Sequence, residues 1–431
     1  MSNLKKHHFR FLKLLVDELR GLQEYGFEFR DKYFLIKIGV FVCDAPARAM
    51  ILEIKQYSGY FSCHKCTIKG EHYSGFITFP NEQCEERTNE DFRSRKDTEH
   101  HKTMEKIALE DLSFDLVSQF PHDYMHVVCL GVVKSIMIGW IEQRKMQFKI
   151  SAQKLRVLNA RLLKIRGDTP REFARRPRSI FEFRRWKATE FRYFLLYIGP
   201  IMLKGILDEE RFHHFVCLSS AIRLLLSNDS TRYKEADELL SSFRQKIPQL
   251  YNKSFLTYNM HSLSHLATDC MNHGNLHKFS AFKYENFFGG IKRKIKKKHQ
   301  FGAQIYKRMV EKSVNGGLKE QNTLQIERID GSNLSSVKTN GKYFSLKHPD
   351  NFYMLENNVF KIESLVKNDE EYFVCGQMIT TEKAAFGNDI KYCTERLLMS
   401  GEIFQHTLTD IKKIVKIKLN SELYFVPIIH D

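Results

Sequence analysis

The sequence contains no long apolar run. A membrane-spanning helix takes about 18–20 consecutive apolar residues. The nearest stretch, Phe194–Leu203, is short and broken by Gly199-Pro200. No secretory leader opens the chain: residues 1–20 interleave charge and apolar side chains at helical spacing, without an uninterrupted apolar block. Cysteine is sparse. There are nine in 431 residues, an odd number, with one closely spaced pair, Cys63 and Cys66. That argues against a disulfide framework and for a reducing compartment. Excess negative charge is absent too: 68 Lys and Arg face 51 Asp and Glu, a formal charge of +17.

Apolar material is plentiful. The hydrophobic fraction is 42%, with 34 Phe and 18 Tyr, which excludes a disordered tail. The length allows two or three domains. Charge is unevenly spread: residues 331–431 hold 12 basic and 13 acidic residues, and residues 1–330 hold 56 and 38. So one-sided an excess points to a polyanionic partner, nucleic acid before membrane.

Periodicity divides the chain. Phe11, Leu12, Leu15, Leu19 and Leu22 predict an amphipathic helix over 4–24, ended by Gly26. The β-branched and aromatic run Tyr33–Val42 predicts a buried strand of a central sheet, with Asp44 just beyond its end. Residues 57–103 show no long period. Helical patterns dominate from Leu112 to about Lys319. Short β-rich pieces separated by Asn, Gly and Asp turns fill 331–431, which reads as a small β-rich domain. No internal repeat is visible.

Four groups of residues are able to carry chemistry. Asp44, in Asp-Ala-Pro, is either a helix N-cap or a metal-binding carboxylate at a sheet rim. Cys63-His64-Lys65-Cys66 sets two thiols on one turn, which suits tetrahedral zinc. A redox pair and unliganded thiols are the alternatives, and further zinc ligands are sought among His72, Cys84, His100, His101 and His126. Asp123 and His126 share a face of a first helical turn, as a cap with a buried histidine or as a functional pair. His261 and His265 stand at i, i+4, but no Glu follows His261 as a zinc protease requires, so packing or substrate contact is the expectation.

Phosphate-binding candidates come next. Glu285, among aromatics, is followed closely by Lys292, Arg293, Lys294, Lys296, Lys297 and Lys298, six basic residues in seven. Carboxylates hold divalent metals and Lys or Arg hold the DNA backbone. The same run reads as a solvated helix face or a nuclear import signal. Arg175, Arg176, Arg178, Arg184 and Arg185 form a second basic stretch, where arginine favours bidentate phosphate contact. The aromatics between them read as core.

These motifs occur in a definite order. Cys43-Asp44-Ala45-Pro46-Ala47-Arg48 precedes Gly59-Tyr60-Phe61-Ser62-Cys63 with Cys66, then His100-His101. Next come Phe120-Pro121-His122-Asp123-Tyr124-Met125-His126, Arg176-Pro177-Arg178-Ser179 and Arg185-Trp186-Lys187-Ala188-Thr189-Glu190-Phe191-Arg192. His261 with His265 and Tyr284-Glu285-Asn286 close the series. Over residues 10–315 this order resembles the transposase domain-containing proteins of animal DNA elements, related to the CACTA (En/Spm-like) group. The resemblance implies an α/β fold with a ribonuclease-H-like core, a DDE carboxylate triad and a large all-helical insertion. Asp44 then corresponds to the second Asp, Glu285 to the Glu, and Asp123 with His126 to an Asp-x-x-His signature. Mg or Mn would sit at the carboxylates, and zinc at Cys63 and Cys66 with His100 and His101. The implied segments are a core remnant at 1–56, a Cys/His insertion at 57–110, a helical insertion at 111–280, the Glu and basic run at 281–320, and the β-rich domain at 331–431. The first Asp would fall before the opening helix, so a truncated core is expected, one that binds DNA in the nucleus without full cleavage or strand transfer. An active nuclease and a non-enzymatic DNA- or chromatin-binding protein are the alternatives. Homo-oligomerisation is left open.

Overall fold

A computed structural model describes residues 2–143, 147–297, 299–314, 325–330, 333–339, 342–368, 371–383, 390–394, 399–408, 411–419 and 422–429. The chain is mixed α/β and divides into two compact units, Met1–Ile136 with Ser227–Ala281, and Met137–Leu226 with Phe282–Asp431. No helix among the described residues is long and apolar enough to cross a membrane.

The first unit opens with the expected helix, Ser2–Tyr25. Gly26 follows at φ +60°, where a Cβ would meet the Phe34 carbonyl oxygen at 2.3 Å, so a side chain has no room at this turn. Val16, with Leu19 packed beside it, joins a core of Leu52, Ile54, Phe92, Leu116 and Phe120. The buried strand expected at Tyr33–Val42 does not form. A short hairpin pairs Phe27–Phe29 with Lys32–Phe34, and residues 35–42 then run outside any strand. Leu35 is 68% exposed and Tyr33 63%. Ile38 and Phe41 pack on the core, while the backbone is held by residue 119: Gln119 Nε2 donates to the Ile38 and Gly39 carbonyls and Phe41 N donates to Gln119 O. Strands described in this unit are confined to two hairpins, the second pairing Glu71–Tyr73 with Phe76–Thr78. The helices Tyr233–Leu250, Tyr258–Ser262 and Leu266–His273 complete it.

In the second unit, helices Ala152–Lys164, Ala188–Tyr193 and Glu209–Leu226 surround buried aromatics, including Trp186, Phe191, Phe194 and Phe215. The β-rich expectation for the C-terminal segment holds, with the first described strand at Gln325–Asp330. A curled antiparallel sheet follows, whose central pairings join Lys412–Leu419 to Phe352–Leu355, then Asn358–Asn368, Glu371–Ile379 and Met399–Thr407. The alternating burial of Tyr353, Phe360, Ile362, Leu365 and Val374 gives this sheet its own core. Inside the unit, Lys413 is buried against Asp350 at 3.1 Å and Glu172 at 3.9 Å, which ties the sheet to the helical part.

Candidate metal centre

The Cys63–Cys66 turn and the His261–His265 pair meet inside the first unit. Cys63 Sγ lies 3.5 Å from Cys66 Sγ and 3.5 Å from His265 Nε2. Cys66 Sγ lies 3.3 Å from His261 Nε2, and the two Nε2 atoms are 3.3 Å apart. A tetrahedron with Zn–S of about 2.3 Å and Zn–N of about 2.0–2.1 Å has edges of about 3.3–3.8 Å. All four side chains are buried, and all four ligand atoms lie within 4.8 Å of one another. Two thiols and two imidazoles are the donor set of a structural zinc site, so the cluster fits a metal such as zinc. Among the described residues it is the one group of three or more His, Cys, Asp or Glu side chains within reach of a single ion.

Local structure prepares each half. Arg87 Nε donates to the carbonyls of Cys63 (3.1 Å) and Cys66 (3.0 Å) and so holds the turn closed, while its Nη2 pairs with Asp97 at 2.6 Å. Thr257 caps the Tyr258–Ser262 helix, which carries His261. Phe79 stacks on the His261 ring at 5.4 Å and meets Tyr258 edge-on. The Tyr258 hydroxyl accepts a 2.7 Å hydrogen bond from Arg48, itself buried.

The thiols differ in protonation. Burial opposes a Cys63 thiolate, but the Cys66 hydrogen bond and the neighbouring His261 and His265 outweigh it and hold the Cys63 pKa well below the ordinary thiol range. Cys66 is pushed far up, first by donating to Cys63 and then by burial. One thiolate is therefore ready for a cation and the other must lose its proton when a metal enters.

His100 and His101, expected as the remaining ligands, are not in the cluster. His100 Nδ1 donates to Phe61 O at 2.7 Å, and His101 packs edge-on against Phe92. The two rings meet each other edge-on, 5.2 Å apart, and serve as packing groups beside the turn. His72 lies on an exposed hairpin. The pair expected to serve packing or substrate contact, His261 and His265, supplies the other two donors of the cluster. A Cys-x-x-Cys turn offers half a tetrahedron, and a pair of histidines at i, i+4 offers the other half; that complementarity was the available signal.

Burial pushes the His100 pKa down to about 3 and the His101 pKa down to about 4. An unfolded histidine takes its proton near 6.5, so between there and about pH 3 the unfolded state binds a proton that folded His100 refuses. Its contribution is complete above about pH 6.5 and is lost as pH falls, on the order of 1.4 kcal/mol per pH unit. Urea unfolding at pH 7 and pH 5 is expected to give a smaller pH difference for His100→Asn than for the wild type. Equal differences would remove His100 as a source of the acid sensitivity.

Asp44 takes the cap role: its Oδ1 accepts from Ala47 N at 2.7 Å, with Pro46 in the first turn of the Ala45–Ile51 helix. A parallel bridge between Cys43 and His122 sets Asp44 alongside Asp123. Asp123 is 1% exposed, and its carboxylate accepts from Met125 N (3.2 Å), His126 N (3.0 Å), His126 Nδ1 (2.5 Å) and Ala281 N (2.7 Å). Asp123 and His126 thus meet in a direct hydrogen bond across the first helical turn. Glu285 belongs to the second unit, exposed on the Phe282–Lys294 helix.

The basic residues fall into two kinds. Arg178 is bidentate to the buried Glu190 at 2.6 and 2.8 Å, and Arg184 is paired with Glu142 at the surface. Arg175, Arg176 and Arg185 are exposed. Among the aromatics between them, Phe183 and Trp186 are buried, as expected, and Phe181 is exposed. Lys292, Arg293, Lys296 and Lys297 are exposed and Lys294 is half-buried; Lys298 lies outside the described residues. Between the helices Phe282–Lys294 and Phe301–Val314, Gln304 Oε1 accepts from the amides of Lys296 and Lys297, both at 3.0 Å. Its Nε2 donates to Lys297 O and His299 O. Compared with family models, curated proteins and solved structures, the chain matches none.

Proposed function

We propose that the chain is a transposon-derived, DDE transposase-like protein that binds DNA in the nucleus, with zinc at Cys63, Cys66, His261 and His265 organising its first unit. The observation that carries the DNA reading is the basic helical hairpin of the second unit. Lys292, Arg293, Lys296 and Lys297 project from a helix end and a loop fixed by Gln304, and none of the four has an ion-pair partner among the described residues. A row of unpaired cations on a preformed loop suits a phosphate backbone. Exposed Tyr284, Phe287 and Phe288 on the same helix offer apolar contact beside it.

Cleavage is a separate matter. A ribonuclease-H-like centre would need Asp44, Asp123 or Glu285 to present carboxylate lone pairs to Mg or Mn. Asp44 accepts the amide of a helix end, and Asp123 accepts three amides and an imidazole. We therefore favour binding without cleavage.

The test is fluorescence anisotropy on a labelled DNA duplex from 50 to 250 mM salt. The expected result is a steep, linear fall of log affinity with log salt; a flat response would overturn the reading. On supercoiled plasmid with Mg or Mn, no nicking is expected. Nicking that vanishes in both Asp44→Ala and Glu285→Ala would replace this reading with that of an active nuclease.

A further inference from the structure

The zinc cluster and the Asp123–His126 pair are joined by a continuous chain of buried contacts within the first unit. Lys65, inside the Cys63–Cys66 turn, reaches Asp269 Oδ1 at 2.8 Å. Asp269 stands one helical turn beyond His265, and its Oδ2 accepts from His122 N (2.8 Å) and His122 Nδ1 (3.2 Å). The His122 ring stacks on that of His265, 5.6 Å apart and 9° from parallel. His122 is followed directly by Asp123.

The same elements grip the residues leading up to His122. Lys65 Nζ donates to Val117 O at 2.9 Å and Ser118 O at 3.3 Å. His64 Nε2 donates to Phe120 O at 2.7 Å, and His273 Nε2 donates to Ser118 O at 2.8 Å. Residues 117–122 thus form a strap. Two side chains of the cysteine turn and two of the Leu266–His273 helix hold it. A zinc ion would pin the cysteine turn to His265, which immediately precedes that helix, and to His261 one turn earlier.

Both faces of the linkage are buried: Asp269 is 1% exposed and Lys65 is buried beside it. Bare backbone carbonyls and a carboxylate in such a site are held only while their donors stay in place. If the cysteine turn and the histidine helix separate, Lys65 and Asp269 part and the strap loses its anchors on both sides. At the far end stands His126, its side chain 32% exposed, oriented through Nδ1 by Asp123.

We infer that Asp269 is a positioning residue through which metal occupancy of the Cys63–Cys66–His261–His265 cluster fixes the strap 117–122 and so sets the orientation of the Asp123–His126 pair. This rests on the reading of the cluster as a zinc site. The inference concerns what the metal controls: the presentation of one histidine at the surface, with the strap as the linkage.

The experiment is hydrogen exchange with mass spectrometry on the full chain, together with the rate of His126 carbethoxylation, for zinc-loaded wild type, chelator-treated wild type and Asp269→Asn. Native mass spectrometry gives zinc content in parallel. The expected result is that Asp269→Asn retains its zinc, yet exchanges amides of 117–126 at least tenfold faster than loaded wild type, with an altered His126 labelling rate. Chelation of the wild type should loosen 117–126 together with the rest of the first unit. Amides of the Tyr233–Leu250 helix, in the same unit, are the control and should change less than twofold in the zinc-loaded variant. If Asp269→Asn does not fold, Lys65→Gln, which removes the partner of Asp269 Oδ1, takes its place. A bound zinc whose removal leaves 117–126 and His126 unchanged, or a zinc-loaded variant indistinguishable from wild type, would overturn the coupling alone. Equal acceleration of the control helix in the zinc-loaded variant would overturn it as well, because the effect would be general loosening. If the wild type binds no zinc, the zinc reading falls and this inference falls with it.

Discussion

Stripping the proposed zinc is expected to abolish the cooperative fold of the first unit. The four ligands come from two short segments separated by about 200 residues, with pair separations of 195 and 202. Besides the ion, the links between the turn and the histidines include the small cluster of Cys63, Cys66, Ile68, Phe79 and Tyr258, the Lys65–Asp269 pair and the strap 117–122. Structural zinc binding contributes on the order of 10–16 kcal/mol near neutral pH. A whole domain is stable by about 5–15 kcal/mol. Loss of the ion therefore removes an amount comparable to the total. Purified protein should carry one zinc by native mass spectrometry. Cys63→Ser and His261→Ala should each lose it and show no cooperative thermal transition for this unit. The sign of the pH effect follows from the thiols. Cys66 is pushed far up, first by its hydrogen bond to Cys63 and then by burial, so loading releases a proton and apparent affinity should rise with pH. Zinc-free protein that melts like the loaded form would sink the structural role.

Neutralising the basic hairpin is expected to weaken DNA binding by about a thousandfold at about 0.1 M salt. Each phosphate neutralised contributes about 0.9 to the slope of log affinity against log salt. Changing Lys292, Arg293, Lys294, Lys296 and Lys297 to alanine should lower that slope by about 4.5. The contrast lies with Arg178 and Arg184. Their guanidinium groups already answer Glu190 and Glu142. Arg178→Gln and Arg184→Gln should leave the salt slope almost unchanged, and Arg178→Gln should lower the stability of the second unit, since Glu190 is buried. An unchanged slope after loss of the hairpin charges would move the DNA interface elsewhere. Anisotropy titrations at several salt concentrations measure both.

Local chemistry was legible where a short stretch carries its own reason. The opening helix, the stop at Gly26, the zinc-fitting turn and the β-rich end all follow from spacing over a few residues. Asp123 and His126 also paired as their spacing allows. Long-range partnerships were hidden. His261 and His265 looked like packing because their meaning depends on a turn about 200 residues earlier. Tyr33–Val42 has the composition of a buried strand, but composition cannot say whether another strand lies alongside. Here the backbone instead meets the side chain of Gln119. Arg178 and Arg184 read as phosphate contacts because the glutamates that hold them lie 12 and 42 residues away.

The separation of the two half-sites also has a meaning in time. His265 is synthesised 202 residues after Cys63, about 10–40 s later at ordinary rates of translation. During that interval the nascent chain displays two thiols on a turn without their imidazole partners. The order of synthesis therefore makes the cysteine turn the vulnerable half of the centre, open to oxidation or to a softer metal until the histidine helix leaves the ribosome.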